Sequence, residues 1–274
     1  MDYIITGASR GIGRALVQAL ASDPATGVER MFVLARDGEG LRQLRDSVAR
    51  RCEIVVLATD LSRLREASAA GRRLVEQVRP GAVLIHNAGI WPTRCERSDG
   101  IEAAFVVNGL APLALQQPLL QAGRLARVLL VSAGLIAKGR FDADKTPTGA
   151  DFSRFRTYCS TKLVSAAALR DVARRLPQVD FAAIHPGVVN TDLGAAAGWL
   201  GWLLRRVKRS WESPEVCAAR LLRVLSHARW SSRPGEAAWY FEERPQPWPA
   251  AVERDADAVR RAVARYLPDC QLSI

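Results

Sequence analysis

The sequence predicts one doubly wound α/β domain around a parallel sheet of about seven strands, with helices on both faces. Three observations carry that prediction. The apolar run Asp2 to Thr6 leads at once into the glycine turn Gly7-Ala8-Ser9-Arg10-Gly11-Ile12-Gly13 and then into a helical pattern over Arg14 to Ala21. Strand-length apolar runs then alternate with helical patterns: Arg30 to Ala35, Glu53 to Ala58, Ala82 to His86, Arg127 to Ser132, Val179 to His185 and Ala237 to Phe241. Near-continuous apolar strands are buried on both faces, as a parallel sheet between helices requires. Finally, 49% hydrophobic and 24% charged residues over a chain of 274 match ordinary globular composition, with no linker or internal repeat, so residues 1–274 read as a single domain.

Taken in order, the first turn has chemistry as well as shape. Glycines let the backbone approach a pyrophosphate, and the open N–H groups at the start of the next helix favour its negative charge. Gly7, Ser9, Arg10, Gly11, Ile12 and Gly13 are therefore the candidate dinucleotide cradle. The second strand ends in Ala35, where an NAD-binding chain usually offers an acid to the ribose hydroxyls. Arg36 follows instead and, joined by Arg10, would meet a 2′-phosphate, which needs a cation and several donors. NADP(H) is thus preferred over NAD(H), although Asp37 beside Arg36 argues the other way. A helix over Leu41 to Arg50 precedes the third strand, which brings Asp60 and Leu61 to the edge where open α/β sheets hold ligands. Asp60 either accepts from the adenine amino group or joins a helix N-terminal turn with Ser62. The fourth strand ends in Asn87-Ala88-Gly89, small residues against which a cofactor can lie, while His86 and the later His185 read as packed strand residues.

Ile101 to Leu120 has helical spacing and contains Asn108, an amide that needs hydrogen bonds in so apolar a face. The fifth strand delivers Ser132 to the same edge as Asp60 and Asn87. Tyr158 and Lys162 lie four residues apart in a helix-forming stretch, hence on one face, in a chain with only four tyrosines and four lysines. A phenol with a reference pKa of about 10 is a poor proton donor or acceptor near neutrality, but an adjacent cation favours the phenolate. The pair is a candidate general acid/base.

These features together resemble the short-chain dehydrogenase/reductase family over most of the chain, from Thr6 to Thr191. Thr6-Gly7, Gly11 and Gly13 fit its T-G-x-x-x-G-x-G turn, Asn87-Ala88-Gly89 its N-A-G motif, and Asn108, Ser132, Tyr158 and Lys162 its catalytic tetrad. Pro186, Gly187, Val189 and Thr191 fall in a P-G-x-x-x-T segment that lies beside the nicotinamide in that family. The resemblance implies that Tyr158 is the acid/base, that Lys162 lowers its pKa and holds the nicotinamide ribose, that Ser132 binds the substrate oxygen, and that Asn108 positions a proton-relay water. The long segment Ala133 to Thr157, with Ser153-Arg154-Phe155-Arg156 leading to Tyr158, is similar to the retinol-dehydrogenase-like branch, which acts on apolar aldehydes, ketones and alcohols.

Residues 192–212 occupy the place of that family's substrate lid. There Trp199, Leu200, Trp202, Leu203 and Leu204 precede Arg205, Arg206, Lys208 and Arg209. An apolar lid, a membrane-surface contact and an interface helix are the competing readings of segment 194–211, and the lid is favoured. Trp91, just after the N-A-G motif, is the candidate opposite wall. Ser213-Pro214-Glu215 starts a further helix, and a terminal helix runs from Ala251 to Leu267.

The net charge of +11 is spread through every segment, almost all as arginine, and no nucleic-acid motif accompanies it. The five cysteines, Cys52, Cys95, Cys159, Cys217 and Cys270, are odd in number and contain no C-x-x-C pair, so neither a disulfide framework nor a metal site is expected. With no room for a signal peptide before the first strand, a cytoplasmic protein is expected. The expected activity is NADP(H)-dependent hydride transfer to or from the carbonyl or alcohol carbon of an apolar small molecule. The alternatives are a dinucleotide-binding sensor, or an isomerase or dehydratase using the same pocket. Homo-oligomers through outer helices are common in the family, but the long loop after Ser132 would oppose them.

Overall fold

Alternation along each strand explains the layers. In β1 (Asp2–Thr6), Ile4 points into one apolar core while Tyr3 and Ile5 point into the other. The same switch occurs in β2 (Arg30–Ala35), where Phe32 and Leu34 oppose Met31 and Val33, and in β4 (Ala82–His86), where Leu84 opposes Val83 and Ile85. Side chains of period two on a sheet covered on both faces produce two cores from one run of apolar residues. The computed structural model describes residues 1–48, 52–187 and 212–268.

Among these residues the main sheet has eight strands in the order β10-β9-β8-β7-β4-β1-β2-β3. Besides β1, β2 and β4, they are β3 (Glu53–Ala58), β7 (Leu125–Val131), β8 (Asp180–His185), β9 (Ala237–Phe241) and β10 (Arg244–Gln246). The first seven in chain order, the expected seven, pair in parallel. The eighth, β10, is antiparallel to β9 and forms an edge. Its Pro245 cannot donate to a further strand, a common way to blunt an edge. A small separate hairpin joins β5 (Arg97–Ser98) to β6 (Ile101–Glu102).

On one face lie α1 (Gly11–Ser22), α2 (Gly38–Val48) and α6 (Pro214–Leu225); Leu16, Leu41, Leu44 and Leu221 enter the same core as Ile5. On the other lie α3 (Leu64–Gln77), α4 (Ala111–Gln121) and α5 (Arg154–Arg175), which place Leu74, Leu115 and Leu163 in the core with Ile4. Two short C-terminal helices, α7 (Ala250–Arg254) and α8 (Ala256–Tyr266), pack on α5. The single terminal helix expected from the pattern is broken at Asp255, whose buried carboxylate accepts from the Phe141 N–H at 2.8 Å.

A second departure matters more. The expected helix from Ile101 begins instead with β6 and then a π-helical turn, Phe105–Leu110, before α4. Pro112 explains part of this: it has no N–H to return to the Asn108 carbonyl four residues earlier, so an α-helical bond is missing at that point. Wide turns of this kind recur at functional sites, and Asn108 sits inside this one.

The strand order reverses between β1 and β4: β2 and β3 lie on one side of β1, and the chain then crosses to the other. In open α/β sheets the ligand crevice lies outside the strand carboxyl ends at such a switch point. The Thr6–Gly7 and Asn87–Gly89 turns emerge there.

Candidate active site

The cradle is stitched by its own hydrogen bonds. Thr6 Oγ1 accepts from the N–H groups of Asn87 and Ala88, both at 3.0 Å. In return, the Asn87 side-chain amide donates to the carbonyls of Thr6 at 3.0 Å and Gly7 at 3.2 Å. Gly7 has φ +68°, the left-handed region, and a Cβ there would lie 2.9 Å from Ala88 Cα. A Cβ at Gly13 would overlap the Gly7 carbonyl oxygen and the Asn87 amide. The absent side chains are therefore what allow loop and helix to close. Arg10 occupies the N-cap of α1 without capping it through its side chain, and Asp and Glu are absent from the first turn. The first N–H groups of α1 are thus left for an external acceptor. Ser9 and Ile12 are half-buried in this loop. An uncapped helix start behind a glycine turn fits a pyrophosphate.

At the adenine end, Arg36 is exposed just past β2, with no acidic partner among the described residues. Asp37, which argued against a 2′-phosphate, is occupied: its carboxylate accepts from the Gly40 N–H at 2.9 Å at the start of α2. Asp60 is also engaged locally, accepting from the Ser62 N–H at 3.0 Å and hydroxyl at 2.8 Å. These are the bonds of the turn, one of its two expected roles. Leu61 beside it is buried.

The four tetrad positions arrive from different elements. Lys162 on α5 is 5% exposed and donates from Nζ to the Val131 carbonyl at 3.0 Å, next to Ser132. A Cβ at Gly89 would lie 2.8 Å from Lys162 Nζ and 3.3 Å from Asn108 Oδ1, so the N-A-G turn, the π-helical turn and α5 meet there. Asn108 is fully committed: Oδ1 accepts from the Ile90 N–H at 2.8 Å, and Nδ2 donates to the Ile90 carbonyl at 2.9 Å and to Thr161 Oγ1 at 3.1 Å. This side chain clamps the Ile90 loop to α5.

Ser132 follows β7 and is held by its N–H to the Ile184 carbonyl at 2.8 Å, yet its buried hydroxyl has no hydrogen-bond partner among the described residues. Such a group is costly unless something else meets it. Tyr158, on the same face of α5 as Lys162, is 8% exposed and packs against Trp91 with ring centroids 4.5 Å apart. The expectation that Lys162 lowers the Tyr158 pKa is not met here. Burial pushes the phenol up to about 12, with a smaller contribution from Cys159, and the same loss of water brings Lys162 down to about 8. Desolvation disfavours the charged form of both. His86, fully buried against Gln116 Oε1 at 3.0 Å, is brought down to about 4, mainly by burial.

The sequence reading missed several participants. Thr161 receives the Asn108 amide, and the Val131 carbonyl receives Lys162. Phe155, one turn before Tyr158 and 42% exposed, lies 6.4 Å from Trp91, extending an aromatic wall. Arg154 Nε ties α5 to the Trp91 loop by donating to the Thr93 carbonyl at 2.8 Å. Trp91 was expected as a pocket wall, but nothing local in the chain put Phe155 and Tyr158 against it. Pro186 and Gly187 follow β8, adjacent to the strand that carries Ser132. Val189, Thr191, Trp199 and the lid segment apart from Glu212 lie outside the described residues.

Comparison with known proteins agrees with this arrangement. A model of the short chain dehydrogenase family matches residues 3–142. A Streptomyces sp. (strain C5) protein named for a daunorubicin C-13 ketoreductase activity is 33% identical over 196 residues, covering 70% of this chain and 67% of the relative. Human retinol dehydrogenase 14 is 31% identical over 209 residues, 70% of this chain and 62% of the relative, so the match spans roughly three fifths of that protein. The NADPH-bound carbonyl reductase from chicken fatty liver has the same fold, with a TM-score of 0.66 at 20% identity over 90% of this chain and 98% of that one. With the glycine turn, the switch-point crevice and the four tetrad residues in one chain, the protein belongs to the short chain dehydrogenase family, whose members work with nicotinamide dinucleotides.

Proposed function

We propose that this protein transfers hydride between the nicotinamide of NADP(H) and the carbonyl or alcohol carbon of an apolar small molecule. The observation that carries the proposal is the buried Ser132 hydroxyl, without a hydrogen-bond partner among the described residues, beside the Tyr158 and Lys162 face of α5. A binding-only protein has no use for a buried donor held in waiting. The dinucleotide, when bound, supplies or takes up the hydride. Ser132 donates a hydrogen bond to the substrate oxygen, which gains negative charge during reduction. Tyr158 gives that oxygen a proton, and takes it back in the oxidising direction. Lys162, anchored on the Val131 carbonyl, supplies a cation on the Tyr158 face of α5.

Support for an apolar substrate comes from Trp91 and Phe155, which line the approach to Tyr158 with ring faces. The relatives are named for daunorubicin C-13 ketoreduction and for retinol dehydrogenation, reactions at a carbonyl or alcohol carbon. Support for NADP(H) comes from exposed Arg36 and from the diversion of Asp37 to α2. The test is oxidation of NADPH and of NADH by the purified protein with a panel of apolar aldehydes and ketones. Turnover is expected with a preference for NADPH that Arg36→Ala reduces about tenfold or more, the loss of a charge-assisted phosphate contact. A preference for NADH would overturn the cofactor assignment. Binding of NADPH without turnover of any substrate would favour the sensor reading.

A further inference from the structure

Arg220 of α6 stands where four separate pieces of chain converge, and nothing in the expected chemistry uses it. Its side chain is 14% exposed. One guanidinium nitrogen donates to the Pro186 carbonyl at 3.1 Å. The guanidinium also forms a two-pronged ion pair with Glu212, and the carboxylates of Glu242 and Glu243 each come within 3.8 Å. Paired forks of this kind fix orientation as well as charge.

The backbone is bent around this cluster. Gly187 has φ +106°, and a Cβ there would collide with both the Arg220 guanidinium and the Glu212 carboxylate. Glu242, in the β9–β10 turn, takes φ +57° although it is not glycine. Its N–H donates to the His185 carbonyl at 2.7 Å. Glu242, a non-glycine residue held at positive φ beside this half-buried cation, indicates a conformation that the surroundings impose. The cluster grips the chain on both sides of β8's carboxyl end: His185 through the Glu242 N–H, Pro186 through Arg220.

We propose that Arg220 is a positioning residue for the nicotinamide half of the dinucleotide: with Glu212 it holds the Pro186–Gly187 turn in the shape that half requires. The inference rests on the dinucleotide reading above. It differs from that reading in making a residue of α6, a helix that packs on α1 but holds the Pro186–Gly187 turn through Arg220, responsible for one end of the ligand only.

The experiment titrates the whole protein with two probes by calorimetry. NADPH carries both halves of the dinucleotide; adenosine 2′,5′-bisphosphate carries the adenine and 2′-phosphate but no nicotinamide. Arg220→Gln and Glu212→Gln are each expected to weaken NADPH binding about tenfold, the effect of breaking one charge-assisted contact, and to leave the bisphosphate unchanged. The double variant is expected to lose little more than either single one, because the two act as a unit. If Arg220→Gln does not fold, Arg220→Lys keeps the charge without the fork and is expected to show the same selective loss, smaller in size. Equal weakening of both probes would reduce Arg220 to general stability, and unchanged NADPH binding would remove its role; either result overturns the inference. Wild-type protein that binds neither NADPH nor NADH would instead overturn the dinucleotide reading, and this inference with it.

Discussion

The two ends of the crevice are built on opposite principles. The cradle end, Thr6 to Gly13 with Asn87 to Gly89, is made of backbone and absent side chains, and its polar groups bond to each other. The tetrad end is made of long side chains drawn out of water. There the Ser132 hydroxyl has no partner among the described residues, Lys162 is brought down to about 8, and Tyr158 is pushed up to about 12. The cradle's loops bond to each other while its helix start stays open for an acceptor; the tetrad end carries a standing destabilisation that the proposed chemistry would use.

The contrast can be broken most severely at Tyr158. Replacing it by Phe is expected to lower kcat on the order of 10³-fold, about 4 kcal/mol, while the folding midpoint moves little, since only a hydroxyl is lost. Steady-state rates beside thermal melts check this, and a variant retaining a tenth of the activity would assign the proton to another group. Gly13→Ala probes the other end. In an ordinary helix the change would help by about 1 kcal/mol. Here the new methyl overlaps the Gly7 carbonyl, and a loss of about 3 kcal/mol is expected in urea unfolding, with dinucleotide binding lost alongside. A stabilised Gly13→Ala protein would contradict the packing described above.

His86 lies beneath the seam between the two ends, and its titration sharpens the comparison. Its folded pKa of about 4 lies below the usual value of 6.5, so the folded state binds fewer protons than the unfolded one between those values. The stability contributed is therefore present above pH 6.5 and lost as pH falls towards 4, up to about 3 kcal/mol. His86→Gln, which keeps a donor for Gln116, is expected to flatten that part of the unfolding profile. Parallel profiles for the two proteins would show that acid acts elsewhere.

The smallest expected effect has the opposite sign. Lys162→Met removes a buried cation at the expense of one bond to the Val131 carbonyl, and is expected to stabilise the fold by about 1–2 kcal/mol at pH 7 while abolishing turnover. Because the folded pKa of Lys162 is depressed, the wild type gains stability as pH rises from about 8 to 10.5, and the variant does not. A destabilised variant at pH 7 would mean that the Val131 bond outweighs the desolvation.

The cradle end was legible because its signals are local. A strand, a glycine turn and a helix are consecutive in the chain, and the reason for each glycine is steric and immediate. Tyr158 and Lys162 were legible through the fixed spacing of a helix. Arg36 was readable too, but not that Asp37 turns away to cap α2, which depends on where that helix begins. Asp60 carried two local readings, and its bonds to Ser62 show the turn.

What the chain's own pattern decided was the sheet, its two cores and the residues brought to one edge, because period-two and period-3.6 burial act over neighbouring residues. Tertiary structure alone decided the meeting of Gly89 with Lys162, the Trp91–Tyr158 contact and the Arg220 cluster, and it completed the π-helical turn that Pro112 begins. It also reversed the expected direction of the Tyr158 pKa. Desolvation and contact are properties of what folds over a residue from far away in the chain, so no reading of that residue's neighbours contains them.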